Sequence, residues 1–219
     1  MELEDDRSNE NKTRREDWGE YREKTKQKPP TRPLVKLLEQ LTPGKAIDLG
    51  PGAGTDTIFL LENGWEVLGI DIDPKTEDDI RSMIKSSDNL SSQNLDERFA
   101  FKNQDFENLE LEKDAYDLVI GFNSLFFCKP ESFKKIFKQI TDSIKSGGYL
   151  LINLLGKNDD WNKQDDNRKT FLSREEIFEL LADFEVREND IKEAELDKET
   201  AVTKTLKHWH TFLVRARKK

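Results

Sequence analysis

The spacing of apolar residues changes period several times along this chain. Leu34, Leu37, Leu38 and Leu41 recur at helical intervals and stop before Pro43-Gly44, which predicts a short helix. "KAIDLG" then reads as a buried strand. "TDTIFLLENG" reads as a helix, with Asp56 in its positive first turn and Asn63-Gly64 as its left-handed stop. "WEVLGID", "RFAFKNQD", "YDLVIGF" and "GYLLINLL" predict four more strands, and the polar stretch from Pro74 to Asp96 predicts a helix of indistinct limits. Between the last two strands, "ESFKKIFKQITDSIKSGG" sets Phe133, Ile136, Phe137, Ile140 and Ile144 on one stripe, the mark of an amphipathic helix. "SREEIFELLADF" opens with the serine and third-position acid of a capping box. "FEVREND" and "HTFLVRAR" alternate as closing strands, and "IKEAELDKETAVTKTLK" is expected to join them as an antiparallel pair. Strands alternating with helices predict an α/β fold: a three-layer, Rossmann-like sheet, mainly parallel, with an antiparallel C-terminal strand. Right-handed crossovers in such a sheet place ligands at the carboxyl ends of the strands.

Composition narrows this picture. A length of 219 residues suits one domain. Residues 1–15 mix acids, Asn, Ser and Arg without periodicity and read as a disordered or loosely docked acidic arm, leaving 16–219 as a single domain. Trp18 and Tyr21 fall on one face of a helical turn that "KPP" then interrupts. No apolar run approaches the length of a membrane span, and the polar start lacks a secretory core. A single cysteine, Cys128, precludes an internal disulfide and suits the reducing cytoplasm. The formal charge of −9 argues against a nucleic-acid partner.

"AIDLGPGAGTD" concentrates three of the chain's eleven glycines, Gly50, Gly52 and Gly54, where the first strand turns into its helix. Residues without Cβ accept positive φ and let the backbone approach a ligand closely. The G-x-G-x-G spacing differs from the G-x-G-x-x-G of dinucleotide binders, which speaks against a pyrophosphate on the helix end. Asp71, at the end of "LGIDIDP", stands where an acid accepts both hydroxyls of a ribose, although Asp73 points to the same face. Asp48 adds a carboxylate suited to a cationic amino group. A glycine turn and a ribose acid without a phosphate clamp suit an adenosine that carries something other than phosphate.

"AIDLGPGAGTDTIFLLENGWEVLGIDIDP" resembles the first motif and its sequel in the class I S-adenosylmethionine-dependent methyltransferases, a likeness running from about Lys45 to Phe127. The "NGWEV", "FLSREEIFELL" and "HWHTFLVRARK" segments are similar to the tellurite-resistance-type and related small-molecule methyltransferases, from which residues 157–170 and 191–207 depart. The resemblance implies that Asp48 helps hold the methionine amino group of S-adenosyl-L-methionine. Gly50, Gly52 and Gly54 would line its methionine and ribose side, Asp71 would bind the ribose, and Ile72 would pack on the adenine. Asp105 would accept from the adenine amino group and Phe106 would offer its backbone N–H, while Phe122 and Asn123 would stand beside the sulfonium. Asp105 as a turn cap, and Phe122, Phe126 and Phe127 as core, are the plainer readings.

The expected function is methyl transfer to a small-molecule acceptor. A non-catalytic module binding adenosylmethionine or adenosylhomocysteine, and a methyltransferase of a macromolecule, are the alternatives. No committed general base is visible. His208 and His210 in "HWH" are the catalytic candidates, two apart on a strand and so facing one way. A structural or exposed pair is the plainer reading, and without a third ligand nearby in sequence no metal is expected. Trp18, Tyr21, Arg32 and Phe127 are candidate substrate contacts, and Trp161, in the polar "GKNDDWNKQDDNRK", is a candidate lid.

Overall fold

The computed structural model describes residues 18–26, 28–86, 95–164 and 167–219; the arm expected over residues 1–15 lies outside them. Helix α1 spans 18–25, and α2 spans Arg32–Leu38 with Pro33 in its first turn. Strand β1 (Lys45–Leu49), α3 (Thr55–Glu62), β2 (Glu66–Asp71) and α4 (Lys75–Ser86) follow as the alternation requires. Next come α5 (Leu95–Arg98), β3 (Phe99–Asn103), β4 (Tyr116–Gly121), α6 (Pro130–Ser143) and β5 (Ile144–Gly156). The chain ends with β6 (Phe171–Leu172), α7 (Arg174–Leu180), β7 (Phe184–Glu185), β8 (Ile191–Glu199) and β9 (Leu206–Lys218).

The sheet order is β3-β2-β1-β4-β5-β9-β7, with β6 on β5 and β8 on β9. Pairings from β3 through β5 are parallel, and β9 is antiparallel to β5, β7 and β8. Ile47, Leu49, Val119, Leu150 and Ile152 bury one face of the sheet against Phe133, Ile136, Phe137 and Ile140 of α6 and Ile177 of α7. Ala46, Val67, Leu118, Ile120 and Leu151 bury the other against Leu34 and Leu37 of α2, Leu60 and Leu61 of α3 and Ile80 and Ile84 of α4. Period-two alternation along the strands supplies both faces, so the chain forms the three layers that its pattern predicts. The capping box of α7 forms in full: Ser173 accepts from the N–H of Glu176, whose carboxylate accepts from the N–H of Ser173.

Two expectations change. Ile144 begins β5 instead of closing the helical stripe, because its buried side chain fits the strand as well as the helix. The segment expected to be a plain connection contains β8, paired with β9 from Ile191↔Val214 to Glu199↔Leu206, whereas "FEVREND" contributes two strand residues. In β8, eight of nine residues are exposed, so there is no buried face to imprint an apolar alternation.

β9 outruns its neighbour. Its pairing with β5 stops at Leu155↔Thr211, but its pairing with β8 continues to Leu206. A two-stranded ribbon therefore extends beyond the carboxyl end of β5. The backbone N–H of His208 donates to Asp160 Oδ2 (2.7 Å) and that of His210 to Asp159 Oδ2 (3.2 Å). These carboxylates take the place of the strand carbonyls that β5 no longer supplies.

Candidate functional site

The turn between β1 and α3 holds Gly50, Gly52 and Gly54 at φ of +73°, +54° and +80°, a region that costs other residues about 1–2 kcal/mol each. They differ in surroundings. A Cβ on Gly50 would lie 2.5 Å from Ser124 Cβ, and one on Gly54 would lie 2.4 Å from Ile80 Cγ1. On Gly52 it would meet nothing nearer than the Gly50 carbonyl at 3.9 Å. The outer glycines thus permit packing, whereas the middle one leaves bare backbone facing open space, as a closely held ligand requires.

Carboxylates surround this opening. Asp48 is buried and accepts from Thr57 Oγ1 at 2.7 Å. Burial, reinforced by Asp56 and Asp71, pushes its pKa up to about 8. Asp56 accepts from both the N–H (2.7 Å) and the hydroxyl (2.5 Å) of Thr31, tying α3 to the segment before α2. Asp71 accepts from the N–H groups of Asp73 (2.9 Å) and Gly52, and burial raises its pKa too. A buried carboxyl whose pKa is raised in this way favours a cation beside it, because the cation stabilises the ionised form. Asp73 is otherwise committed: Arg22 of α1 pairs with it inside the protein, and it caps the N–H of Lys75 at 3.0 Å. That leaves Asp71 as the acid facing the glycine turn. Ile72 follows it, half-buried, and Asn103 braces this bend by donating to the carbonyls of Asp71 (3.0 Å) and Ile72 (2.8 Å).

Asp105 is exposed and accepts from the N–H of Glu107 at 3.0 Å, capping the single 3₁₀ turn Phe106–Asn108. Phe106 is half-buried against the α6 side of the core. Beyond β4, Phe122 is half-buried against the opposite core, and Asn123 adopts φ +56°. Two Asn153 bonds hold Asn123: its N–H donates to Asn153 Oδ1 (2.6 Å), and Asn153 Nδ2 donates to its Oδ1 (2.9 Å). Ser124 Oγ donates to the Leu49 carbonyl at 2.5 Å, locking the β4 tip to the glycine turn.

Helix α1 lies over this end. Asn123 Nδ2 donates to the Tyr21 hydroxyl at 3.3 Å, and burial raises the tyrosine pKa. Lys24 Nζ donates to the Val202 carbonyl at 3.0 Å, joining α1 to the ribbon tip. Trp18 meets Phe127 edge to face at 6.3 Å, Phe127 lies 6.3 Å from Trp161, and Trp161 lies 5.1 Å from Trp209. Three of the five substrate candidates, Trp18, Phe127 and Trp161, therefore share one aromatic series, and Tyr21 stands on the same helix as Trp18. Arg32 is exposed at the start of α2. Phe126 is core, as its plainer reading has it.

The two histidines differ. His208 places Nδ1 2.8 Å from Asp197 and Nε2 3.0 Å from Glu195, and these two acceptors raise its pKa. Both nitrogens then act as donors, which suits an imidazolium and not a base. His210 is buried over Gly156, where a Cβ would collide with its ring. Its Nδ1 accepts from the Asn158 N–H at 3.1 Å, and its Nε2 lies 2.9 Å from Glu193. Among the described residues, His210, Glu193 and Glu195 bring ligand-type atoms within 4.8 Å of one another. The Asn158 bond opposes a metal there. It fixes the neutral tautomer with hydrogen on Nε2, the very atom that faces the carboxylates, whereas metal-binding histidines donate from their other nitrogen.

Sequence reasoning missed Arg22, Asn103, Asn153, Asp159, Asp160, Lys207 and Trp209. Asn153 carries a signal, a polar residue inside the apolar "GYLLINLLG"; the others act through partners far along the chain.

Residues 46–148 match the model of the methyltransferase domain family. A search of curated proteins finds no match. Among solved structures, TehB from Haemophilus influenzae superposes with a TM-score of 0.68 at 21% identity, over 86% of this chain and 62% of that one. A structure reported for the conversion of a disulfide bond into a thioacetal group during echinomycin biosynthesis gives 0.63 at 18%, over 87% and 82%. The 1,6-didemethyltoxoflavin-N1-methyltransferase of Burkholderia thailandensis, solved with bound 1,6-didemethyltoxoflavin and S-adenosylhomocysteine, gives 0.55 at 19%, over 86% and 77%. Glycine turn, acid strand, sheet order and family match agree: residues 46–148 are similar to the methyltransferase domain family, and the chain has the Rossmann-like fold of the class I methyltransferases.

Proposed function

We propose that this protein binds S-adenosyl-L-methionine and directs its methyl group to a small-molecule acceptor. The observation that carries the reading is the open face of Gly52 beside the raised carboxylates of Asp48 and Asp71. Asp48 would face the cationic methionine end, Asp71 would accept from the ribose hydroxyls, and Ile72 would pack on the adenine. Asn123, set by Asn153 and Tyr21, would form the wall beside the acceptor. When bound, this cofactor supplies an already activated methyl group on a sulfonium. The protein's contribution is then to orient the acceptor and exclude water, effects worth roughly 7–11 kcal/mol in favourable cases. A small acceptor fits the formal charge of −9, and the bound molecules of the Burkholderia neighbour support it.

A second reading, a module that binds adenosylmethionine or adenosylhomocysteine without turnover, gains from the engagement of every ring nitrogen of His208 and His210. Thermal shift against adenosylmethionine, adenosylhomocysteine and NAD, followed by a methyl-release assay over acceptor mixtures, separates these readings. Stabilisation by NAD alone would refute both. Binding without release in any mixture would favour the module. Asp71→Ala is expected to weaken adenosylhomocysteine binding by about 1.5–3 kcal/mol, the worth of hydrogen bonds to a charged group. An unchanged dissociation constant would remove Asp71 from the site.

A further inference from the structure

We infer that the half-buried rings of Trp18, Phe127, Trp161 and Trp209, backed by the buried Lys207–Asp159 pair, form the acceptor wall and select a planar aromatic or heteroaromatic molecule, neutral or anionic, over an ammonium-bearing one. The inference rests on the methyltransferase reading and names its substrate class.

The rings come from four separate elements: α1, the 3₁₀ turn Leu125–Phe127, the 3₁₀ turn Asp160–Lys163, and β9. Core filler is buried, whereas each of these four residues is only half-buried. They gather at the carboxyl end of the parallel strands, the side on which such sheets bind ligands. Tyr21, on the helix that carries Trp18, bonds Asn123 at the β4 tip, and Ser124 beside it locks to the glycine turn. The aromatic series is thus tied directly to the proposed cofactor turn.

Charge sets the selectivity. Lys207 Nζ stands 3.6 Å from the ring centroid of Trp209 and 4.3 Å from that of Trp161. It pairs with Asp159 at 2.5 Å, and both side chains are almost wholly buried. Two indoles with a carboxylate are the usual surroundings of a bound ammonium group, and here the chain's own lysine fills them. A second ammonium would meet a like charge and indoles already engaged with a cation. A flat π-system instead stacks on the solvent-facing part of this wall without disturbing the pair. The same pair fixes the wall: Asp159 also accepts from the N–H groups of Trp161 (3.0 Å) and His210 (3.2 Å), so one buried carboxylate sets both the turn and the ribbon.

A matched set of probes tests this with the full chain saturated with adenosylhomocysteine. Isothermal titration compares 2-naphthol with its saturated counterpart 2-decalol and with planar but cationic 2-naphthylmethylamine. The expected order is 2-naphthol tightest by about tenfold or more. Trp161→Leu and Trp209→Leu are each expected to weaken it roughly 2- to 10-fold, the worth of one aromatic contact, with adenosylhomocysteine affinity retained. Trp209→Phe, which keeps a ring, should restore most of the loss. Should Trp209→Leu fail to fold, the half-exposed Trp161 carries the test. Equal binding of 2-decalol or of the amine, or variants that bind 2-naphthol as tightly as the parent, would overturn the inference alone. Failure to bind adenosylhomocysteine would bring down the methyltransferase reading and the inference with it.

Discussion

The two ends of the proposed ligand path are built by opposite means. At the glycine turn, three residues within five positions adopt left-handed backbone, and the acids that face them sit at the tips of the same and the adjacent strand. At the ribbon, order depends on partners about 50 residues apart: His208 and His210 on Asp160 and Asp159, and Lys207 again on Asp159. One end is set by left-handed backbone that few residue types adopt. The other is rigid only while a few buried polar groups stay paired.

The sharpest way to break that contrast is Asp159→Ala. It would leave Lys207 buried without its partner and strip the acceptor from two backbone N–H groups. Losing one partner of a buried pair typically costs about 3–5 kcal/mol. Urea unfolding should show a loss of that order, with the adenosylhomocysteine affinity of the remaining folded protein kept. A loss below about 1 kcal/mol would mean that the ribbon is held by β8 alone.

Next in size is a contrast inside the glycine turn. Gly54→Ala meets both unfavourable φ and the Ile80 side chain at 2.4 Å. It is expected to cost roughly 2–4 kcal/mol of stability from backbone conformation and overpacking together. Gly52→Ala pays only the backbone part, about 1–2 kcal/mol, but its methyl group enters the open face. There the loss should fall on adenosylhomocysteine binding, by about tenfold or more. A Gly52→Ala protein that binds as tightly as the parent would end the assignment of this turn.

The unequal legibility of the two ends follows from these causes. Gly50, Gly52, Gly54 and Asp71 could be read from sequence because positive φ and a strand-end acid are local demands with few residue solutions. The parallel core was equally readable, since both of its faces are buried and the apolar periods are strong. β8 was not, because "IKEAELDKE" exposes nearly every side chain, and its order comes from β9. Trp209 could be seen as an aromatic between histidines, but its proximity to Trp161 depends on where the 159–163 turn lands. Strand periodicity favours Asp71 over Asp73 from sequence alone, whereas the pairing of Asp73 with Arg22 depends on a partner 51 residues away.

A smaller effect separates the ends by proton. With its pKa pushed up to about 8, Asp48 is protonated in the ligand-free protein at neutral pH, whereas a cationic methionine group favours its ionised form. Binding of adenosylmethionine should therefore release protons below pH 8, and affinity should rise with pH, by up to about tenfold per unit, before levelling near 8. Titration calorimetry in buffers of different ionisation enthalpy measures that release. Asp48→Asn should abolish most of it, and an unchanged release would assign the proton to Asp56 or Asp71 instead.

The gentlest test concerns His208. Asp197 and Glu195 hold its pKa above 6.5, while Asn158 donates to Glu195 from the neighbouring loop at 3.0 Å. A raised folded-state pKa gives stabilisation that is complete below the unfolded value of about 6.5 and is lost as pH rises through the folded one. The imidazole signal of His208 in NMR should titrate above 6.5 and move back toward it in Glu195→Gln/Asp197→Asn. Amide exchange of residues 206–210 should quicken over the same rise in pH, while the glycine turn remains unaffected. If both ends loosen together, the ribbon is not a separately held unit, and the contrast between the two ends fails at its weakest joint.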